Sequence, residues 1–324
     1  MSLIDRRKIS SAATETVWLA PDGWPVRRID WHILAGQNRG SILFLAGRND
    51  AYEKYLESLE QWHQAGWRVT ALDWRGQAGS GRLGHDRGTG HIADFSVWID
   101  DLAAFWDEWS QPGNGNDTPA PHILGAHSMG GHLALRTVAE KRVTPDAVFL
   151  SAPMLGFAAQ PLPPVFMHQI ARLMRGLGDP ARPAWRWSEK PGTLPAGRSS
   201  ILTHDADRYA DEQWWYGARP ELAMGPGSWQ WVERAYASMK ELSEPGVLEH
   251  IQVPVLILAT RHDRLVSFSA ARKAAERLPQ GELIEFGKES HHEILREVDS
   301  VRNRAMDAIA DFLDRVAPAP AHAP

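Results

Sequence analysis

The segment with the clearest chemical potential is a serine among small residues, Ala126-His127-Ser128-Met129-Gly130-Gly131. It follows an apolar run over residues 122–126 and precedes a stretch with helical patterning. Small neighbours let a strand turn sharply into a helix, so that the serine hydroxyl projects above the sheet edge as a nucleophile. The free N–H groups at the helix start, Met129 first, favour a developing oxyanion. The pattern predicts a nucleophile elbow; the alternative is an ordinary turn that contains a serine.

Such a serine needs a base and an orienting acid, which follow the elbow in the order acid, then histidine, each after a later strand. Asp263 is the only carboxylate in residues 260–266, directly after the apolar run 255–259. A loop aspartate is usually a solvated turn residue, but this position favours a catalytic role. His291 and His292 follow the next apolar run, and the residues alone leave both open as the base.

Two other motifs resemble cofactor or metal sites but lack the required context. Residues 79–84 match the dinucleotide fingerprint, yet five residues separate them from the preceding apolar run and a polar, Gly-rich stretch follows. Residues 292–296 begin like a zinc protease helix but end in arginine, where the second ligand belongs. We therefore expect neither a cofactor nor a metal.

The elements that must position these side chains follow from the hydrophobic pattern. Short apolar runs that end in turn residues recur at 41–46, 69–73, 122–127, 147–151, 255–260 and 282–286. Helix-like stretches lie between them, at 53–64, 95–109, 129–141, 270–278 and 301–316. This alternation predicts an α/β fold with a doubly wound, mostly parallel sheet. Ahead of it, residues 16–19 and 26–34 flank Pro21-Asp22-Gly23, which predicts an antiparallel hairpin at the sheet edge.

The alternation stops for about a hundred residues that are rich in Pro, Gly and Trp. We predict that residues 153–253 form an inserted helical cap, and that residues 16–152 and 254–316 form the core. An insertion at the carboxyl edge of such a sheet is more often a lid or binding surface than a structural elaboration. The tail 317–324 alternates Pro and Ala, so we expect disorder there.

Six segments spread over most of residues 16–313 resemble the lysophospholipase L2 and monoacylglycerol lipase branch of the α/β-hydrolases. They are Gly47-Arg48 followed by Lys54-Tyr55, Asp73-Trp74-Arg75-Gly76-Gln77, the elbow, Ser151-Ala152-Pro153-Met154, Asp263, and His292-Glu293-Ile294-Leu295. In that family the catalytic histidine directly precedes the Glu-Ile-Leu segment, so the resemblance implies His292 rather than His291. It also implies an oxyanion hole made by the backbone N–H groups of Arg48 and Met129.

The resemblance implies a serine hydrolase that cleaves carboxylic esters of monoacyl lipids, either lysophospholipids or monoacylglycerols. The alternatives are a short-chain carboxylesterase, an iminopeptidase-like hydrolase, and a non-catalytic scaffold that binds a ligand or a partner. Substrate-binding candidates are four tryptophans of the insertion, Trp185, Trp187, Trp214 and Trp215. They either line an acyl-chain tunnel or form the core of the cap.

Composition limits the partners and the compartment. The formal net charge is −5 and the Lys and Arg residues are scattered, so we expect no nucleic acid. The chain has no cysteine, which excludes disulfides and thiolate sites and fits a reducing compartment. No apolar run is long enough to span a bilayer, so we expect a cytoplasmic protein, and peripheral contact with the inner face of a membrane stays open. Head-group preference and oligomeric state also stay open.

Overall fold

A single sheet organises the part of the chain that the computed structural model describes, residues 4–32, 39–111, 120–158, 160–185 and 197–318. Its strands in chain order are β1 (Ala13–Leu19), β2 (Pro25–Trp31), β3 (Ser41–Leu45), β4 (Arg68–Leu72), β5 (His122–His127), β6 (Ala147–Ser151), β7 (Val255–Thr260) and β8 (Gly281–Phe286). Their order in space is β1-β2-β4-β3-β5-β6-β7-β8. β1 and β2 form the antiparallel edge hairpin that the turn signal predicts, and β3 to β8 run parallel.

Helices connect and cover the parallel strands. The helices of the described residues are α1 (Leu56–Gln64), α2 (Ser96–Ser110), α3 (Ser128–Ala139), α4 (Pro164–Gly176), α5 (Ser199–Leu202), α6 (Ala206–Ala218), α7 (Trp229–Ser243), α8 (Phe268–Arg277) and α9 (Asp299–Val316). Every residue of β3, β4, β6 and β7 is buried, because helices pack on both faces of the sheet. The predicted doubly wound α/β fold is therefore confirmed.

The boundaries differ from the sequence predictions by small amounts. The predicted helix at 53–64 begins as a separate 3-10 turn, Tyr52–Tyr55, before α1. In the predicted disordered tail, Ala317 is buried with its backbone N–H bonded to Leu313, while residues 319–324 lie outside the described part. Helix periodicity locates an element well but its ends poorly, because the last turn depends on local hydrogen bonds.

The carboxyl ends of the parallel strands lie at one edge of the sheet, where ligand sites form in this architecture. The segments that follow these strands carry the candidate residues: Gly47 lies after β3, Ser128 after β5, Asp263 after β7 and His292 after β8. Helices α4 to α7 fall between β6 and β7, and α7 packs against both α4 and the core helix α3. The inserted helices therefore pack next to the elements that carry the candidate site.

Candidate active site

The elbow serine opens α3 directly from β5, with a backbone that is strained. Ser128 has φ of +52°, in the left-handed region that costs a non-glycine residue about 1–3 kcal/mol. A Cβ at Gly130 would lie 2.3 Å from the carbonyl oxygen of Ala46, so only glycine lets α3 approach β3 this closely. Ala126 stands where the usual motif has glycine; its methyl group is fully buried, and the residue pairs in register with Leu45 and Leu150. The local geometry is that of a nucleophile elbow.

Three side chains from distant parts of the sequence meet at this elbow. Nε2 of His292 lies 3.0 Å from Oγ of Ser128, and Nδ1 lies 2.7 Å from Oδ2 of Asp263. The other carboxylate oxygen, Oδ1, accepts the backbone N–H groups of Leu265 at 2.8 Å and Val266 at 2.9 Å. These two donors fix the carboxylate orientation, so Oδ2 is left to face the imidazole. The arrangement can remove a proton from the serine.

Electrostatics tune the pair for this task. Burial lowers the pKa of His292, but the adjacent Asp263 carboxylate outweighs it and raises that pKa above its ordinary value. Burial raises the pKa of Asp263, but His292 and the two backbone donors outweigh it and hold that pKa below its ordinary value. At neutral pH the carboxylate is therefore ionised, and a negative charge at this position can stabilise an imidazolium at His292.

The neighbouring histidine has a different environment. The ring of His291 stacks on His204 with centroids 3.8 Å apart, and its backbone N–H donates to Glu297 at 2.7 Å. Burial lowers the pKa of His291. The structure brings His292 to Ser128 and directs His291 to a separate cluster.

The loop after β3 lies against the serine. A Cβ at Gly47 would be 3.1 Å from the Cβ of Ser128 and 2.7 Å from Oδ2 of Asp50, so glycine is required for this close approach. The backbone N–H of Gly47 donates to Asp50 and that of Asn49 donates to Gln77, which fixes the chain on both sides of Arg48. On the helix side, Met129 lies in the first turn of α3, where N–H groups have no intrahelical acceptor.

A cavity of about 470 Å³ opens over Ser128 and His292. Part of its wall is polar and comprises Arg48, Asn49, Asp50, Lys54, Arg198 and Glu293. Another part is apolar and includes Met167 and Ile170 of α4 and Val232 of α7. The cavity is thus amphipathic, and the inserted helices contribute to its apolar wall.

The four tryptophan candidates separate into different environments. Trp185 lines the cavity, and Trp187 lies outside the described residues. Trp214 and Trp215 do not line it, which corrects the prediction for these two residues. The buried Trp215 indole donates to the backbone oxygen of Arg6 at 2.9 Å, and Trp214 packs edge-on against Trp215, because this part of α6 faces the N-terminal segment.

Two further tryptophans of the insertion, which were not among the four selected candidates, and the side chain of a cation lie at the cavity. Trp229 and Trp231 of α7 line it, which the helical spacing of Trp229, Val232 and Tyr236 could have indicated. The guanidinium carbon of Arg48 lies 5.1 Å from the ring centroid of Trp185 and 5.3 Å from that of Trp231. The Arg48 side chain thereby joins the loop after β3 to the inserted helices.

The two cofactor-like motifs have structural explanations. A Cβ at Gly79 would meet Arg27 at 2.6 Å and one at Gly81 would meet Trp24 at 2.9 Å, so these glycines permit close packing in a loop. Residues Ile294–Arg296 form a 3-10 turn, and Arg296 is ion-paired with Glu293. Among the residues with described positions, no group of His, Asp and Glu is arranged to hold a metal. Within the same ranges, no helix is long and apolar enough to cross a membrane.

Comparisons with known proteins show which family and which solved structures the chain is similar to. The family described as serine aminopeptidase S33 matches residues 36–299. Lysophospholipase L2 of Escherichia coli strain K12 is 32% identical over 313 residues, 93% of this chain and 87% of that protein. A soluble variant of the monoglyceride lipase of Saccharomyces cerevisiae superposes with a TM-score of 0.74 at 17% identity, over 95% of this chain and 96% of that one. The monoacylglycerol lipase of Paleococcus ferrophilus superposes with a TM-score of 0.67 at 21% identity, over 89% and 98%. At these low identities, the two solved structures show only that this chain has the same fold as they have.

Proposed function

The chain belongs to the serine aminopeptidase S33 family, and on this premise we propose that it is a serine hydrolase that cleaves the carboxylic ester of monoacyl lipids. The relative from Escherichia coli is a lysophospholipase, and two solved structures with the same fold are monoacylglycerol lipases. The observation that carries the proposal is the amphipathic cavity of about 470 Å³ over Ser128 and His292. A monoacyl lipid has one apolar chain and one polar head, which matches such a wall.

The proposed cycle transfers the acyl group through the serine. His292 Nε2 takes the proton of the Ser128 hydroxyl as the oxygen attacks the ester carbonyl carbon. When the tetrahedral intermediate collapses, the ester C–O bond breaks and the imidazolium returns the proton to the departing alcohol. Water then attacks the acyl-enzyme, with His292 again as base, which releases the fatty acid and the free serine. Asp263 holds the imidazole tautomer and stabilises its cationic form.

We assign the oxyanion hole to the backbone N–H groups of Arg48 and Met129. Two observations support the assignment, namely the close approach of Gly47 to Ser128 and the position of Met129 in the first turn of α3. Preformed donors at this position stabilise the charge that develops on the carbonyl oxygen.

Charge in the cavity favours an ester over a peptide with a free amino terminus. An aminopeptidase needs an available carboxylate to bind the substrate ammonium group. The carboxylates that line the described cavity are Asp50 and Glu293. Asp50 is ion-paired with Lys54, and Glu293 is ion-paired with both Lys54 and Arg296. A neutral ester carbonyl next to an apolar wall requires no such partner.

The proposal includes peripheral contact with a lipid surface from the cytoplasmic side. Helix α4 exposes Val165, Phe166 and Leu173 by 66%, 60% and 62%, while Met167 and Ile170 of the same helix line the cavity. The helix has two arginines and no acidic residue. An exposed apolar face with basic neighbours is typical of a helix that lies in a membrane interface.

The test is fluorophosphonate labelling followed by a panel of esters that differ in acyl length and head group. We expect labelling that Ser128→Ala abolishes. Each methylene buried in an apolar wall contributes about 0.8 kcal/mol, so the specificity constant should rise about fourfold per methylene until the cavity is filled. Faster hydrolysis of amino-acid arylamides than of monoacyl esters would contradict the proposal, and so would an absence of labelling.

A further inference from the structure

A buried ammonium group joins two segments of the site and has no role in the proposed cycle. Nζ of Lys54 lies 2.5 Å from Oδ1 of Asp50 and 2.7 Å from Oε1 of Glu293, and its side chain is 3% exposed. The two acids come from segments far apart in the sequence: Asp50 from the loop after β3 and Glu293 from the segment after β8. Lys54 therefore bridges two loops that have no covalent connection nearby.

Each carboxylate is coupled to one part of the catalytic machinery. Oδ2 of Asp50 accepts the backbone N–H of Gly47 at 3.1 Å and the hydroxyl of Tyr55 at 2.9 Å. Gly47 touches Ser128 and precedes Arg48, the proposed oxyanion donor. Glu293 directly follows His292 in the chain. A shift of either carboxylate would be transmitted to the oxyanion loop or to the base.

Among the residues that the structure describes, the charges of the cluster balance. Its carboxylates are Asp50, Glu212 and Glu293, and its cations are Lys54, Arg198 and Arg296. Three negative and three positive charges give a net charge of zero. Loss of one member from a buried ion cluster leaves its partner uncompensated, which is costly and moves neighbouring pKa values.

We propose that Lys54 is a positioning residue, whose ammonium fixes the oxyanion loop relative to His292 and balances the carboxylates beside the imidazole. The inference rests on the proposed ester hydrolysis, because it assigns roles to the same serine and histidine. Lys54 does not touch the reacting atoms in this proposal. It acts through Asp50 on one side and through Glu293 on the other.

The groups that face His292 determine the expected pH effects. Its two ring nitrogens are hydrogen-bonded to Asp263 and Ser128, and the ring centroid of His127 lies 4.8 Å from that of His292. Burial, with a smaller contribution from the charge of His292, lowers the pKa of His127 to about 4, so His127 is neutral above pH 5. The charges of Asp263, Glu293 and Asp50 raise the pKa of His292. The ammonium of Lys54 is ion-paired with Asp50 and Glu293, so by Coulomb's law its positive charge opposes the effect of these two carboxylates.

Lys54→Met and Glu293→Gln should therefore shift the acid limb of activity in opposite directions. The base is active when neutral, so activity is lost as the pH falls through the pKa of His292. Removing the ammonium takes away the ion-pair partner of Asp50 and leaves Glu293 with Arg296 alone, which moves the limb to higher pH. Removing the Glu293 charge moves it to lower pH. In the double variant the charge balance returns, so the limb returns toward its wild-type position while kcat stays low because the bridge is lost.

The experiment uses the full chain and two readouts over pH 5–9, kcat/KM for one monoacyl ester and the rate of fluorophosphonate labelling. We expect kcat to fall between about tenfold and a hundredfold in Lys54→Met while KM changes little, because a misplaced donor costs transition-state stabilisation. Lys240→Met, at an exposed position on α7, serves as the matched control and should retain the wild-type profile. Thermal melting of each variant measures stability separately.

An acid limb that moves to higher pH in Lys54→Met and to lower pH in Glu293→Gln supports the inference. Unchanged limbs in Lys54→Met and Glu293→Gln, with a loss of melting temperature alone, would overturn it, as would shifts in the same direction. If Lys54→Met does not fold, Glu293→Gln and the double variant decide by the same criterion. A wild-type protein that is labelled by fluorophosphonate but hydrolyses no monoacyl ester refutes the proposed substrate, and the labelling profiles still test the role of Lys54.

Discussion

Replacing Asp263 by asparagine tests how the loop after β7 controls the tautomer of His292. Oδ1 of Asp263 accepts two backbone N–H groups, from Leu265 and Val266. An asparagine must direct its oxygen to these donors, because its NH₂ group there would oppose two N–H groups. The NH₂ group then faces Nδ1 of the imidazole, which must act as acceptor. The proton consequently moves to Nε2, where it faces Ser128 and blocks general-base catalysis.

The expected loss in kcat for Asp263→Asn is about 10³–10⁴-fold, the range associated with the wrong tautomer and the lost carboxylate charge. This corresponds to about 4–5.5 kcal/mol of transition-state stabilisation. Asp263→Ala behaves differently, because a water molecule can accept from Nδ1–H and preserve the productive tautomer. It leaves two backbone N–H groups without their acceptor, however, at a cost of about 1–3 kcal/mol in folding stability.

Activity and stability should therefore rank the two variants in opposite orders. Steady-state kinetics on one monoacyl ester and thermal melting measure both quantities on the same preparations. We expect Asp263→Asn to be the more stable and the less active variant. An asparagine variant that is as active as the alanine variant, or more so, would refute the tautomer argument.

Three further predictions concern the base, its pH dependence and the cavity wall. His292→Ala should reduce kcat by several orders of magnitude, whereas His291→Ala should retain most activity because the His291 ring stacks on His204, away from Ser128. Steady-state kinetics on both variants measures this, and the reverse ranking would contradict the geometry. The acid limb of kcat/KM should have its midpoint above the ordinary histidine pKa of 6.5, because Asp263 raises the pKa of His292; a midpoint below that value in a pH titration would be inconsistent with this coupling. Trp185→Ala should change the dependence of kcat/KM on acyl length, whereas Trp214→Ala should leave it unchanged, and identical profiles for both would rule out a role for Trp185 in the wall.

Local sequence patterns were sufficient for the parallel strands, for the helices outside the insertion and for their order along the chain. The apolar runs at 147–151 and 255–260 match β6 and β7 residue for residue, because strand burial depends on consecutive side chains. The position of Ser128 between a strand and a helix followed from the small residues around it. These features depend on contacts within a few residues, which a sequence displays directly.

Tertiary structure decided which side chains meet. The residues alone left His291 and His292 equivalent, and the turn after β8 separates their rings by directing one to Ser128 and the other to His204. Trp214 and Trp215 could not be assigned to the cavity or to the protein core, because that depends on how α6 is rotated against the N-terminal segment. The pair of Lys54 and Glu293 spans 239 positions, a separation over which no periodicity or spacing carries information. Such contacts are set by the packing of whole elements on the sheet, so they are fixed only when the chain has folded.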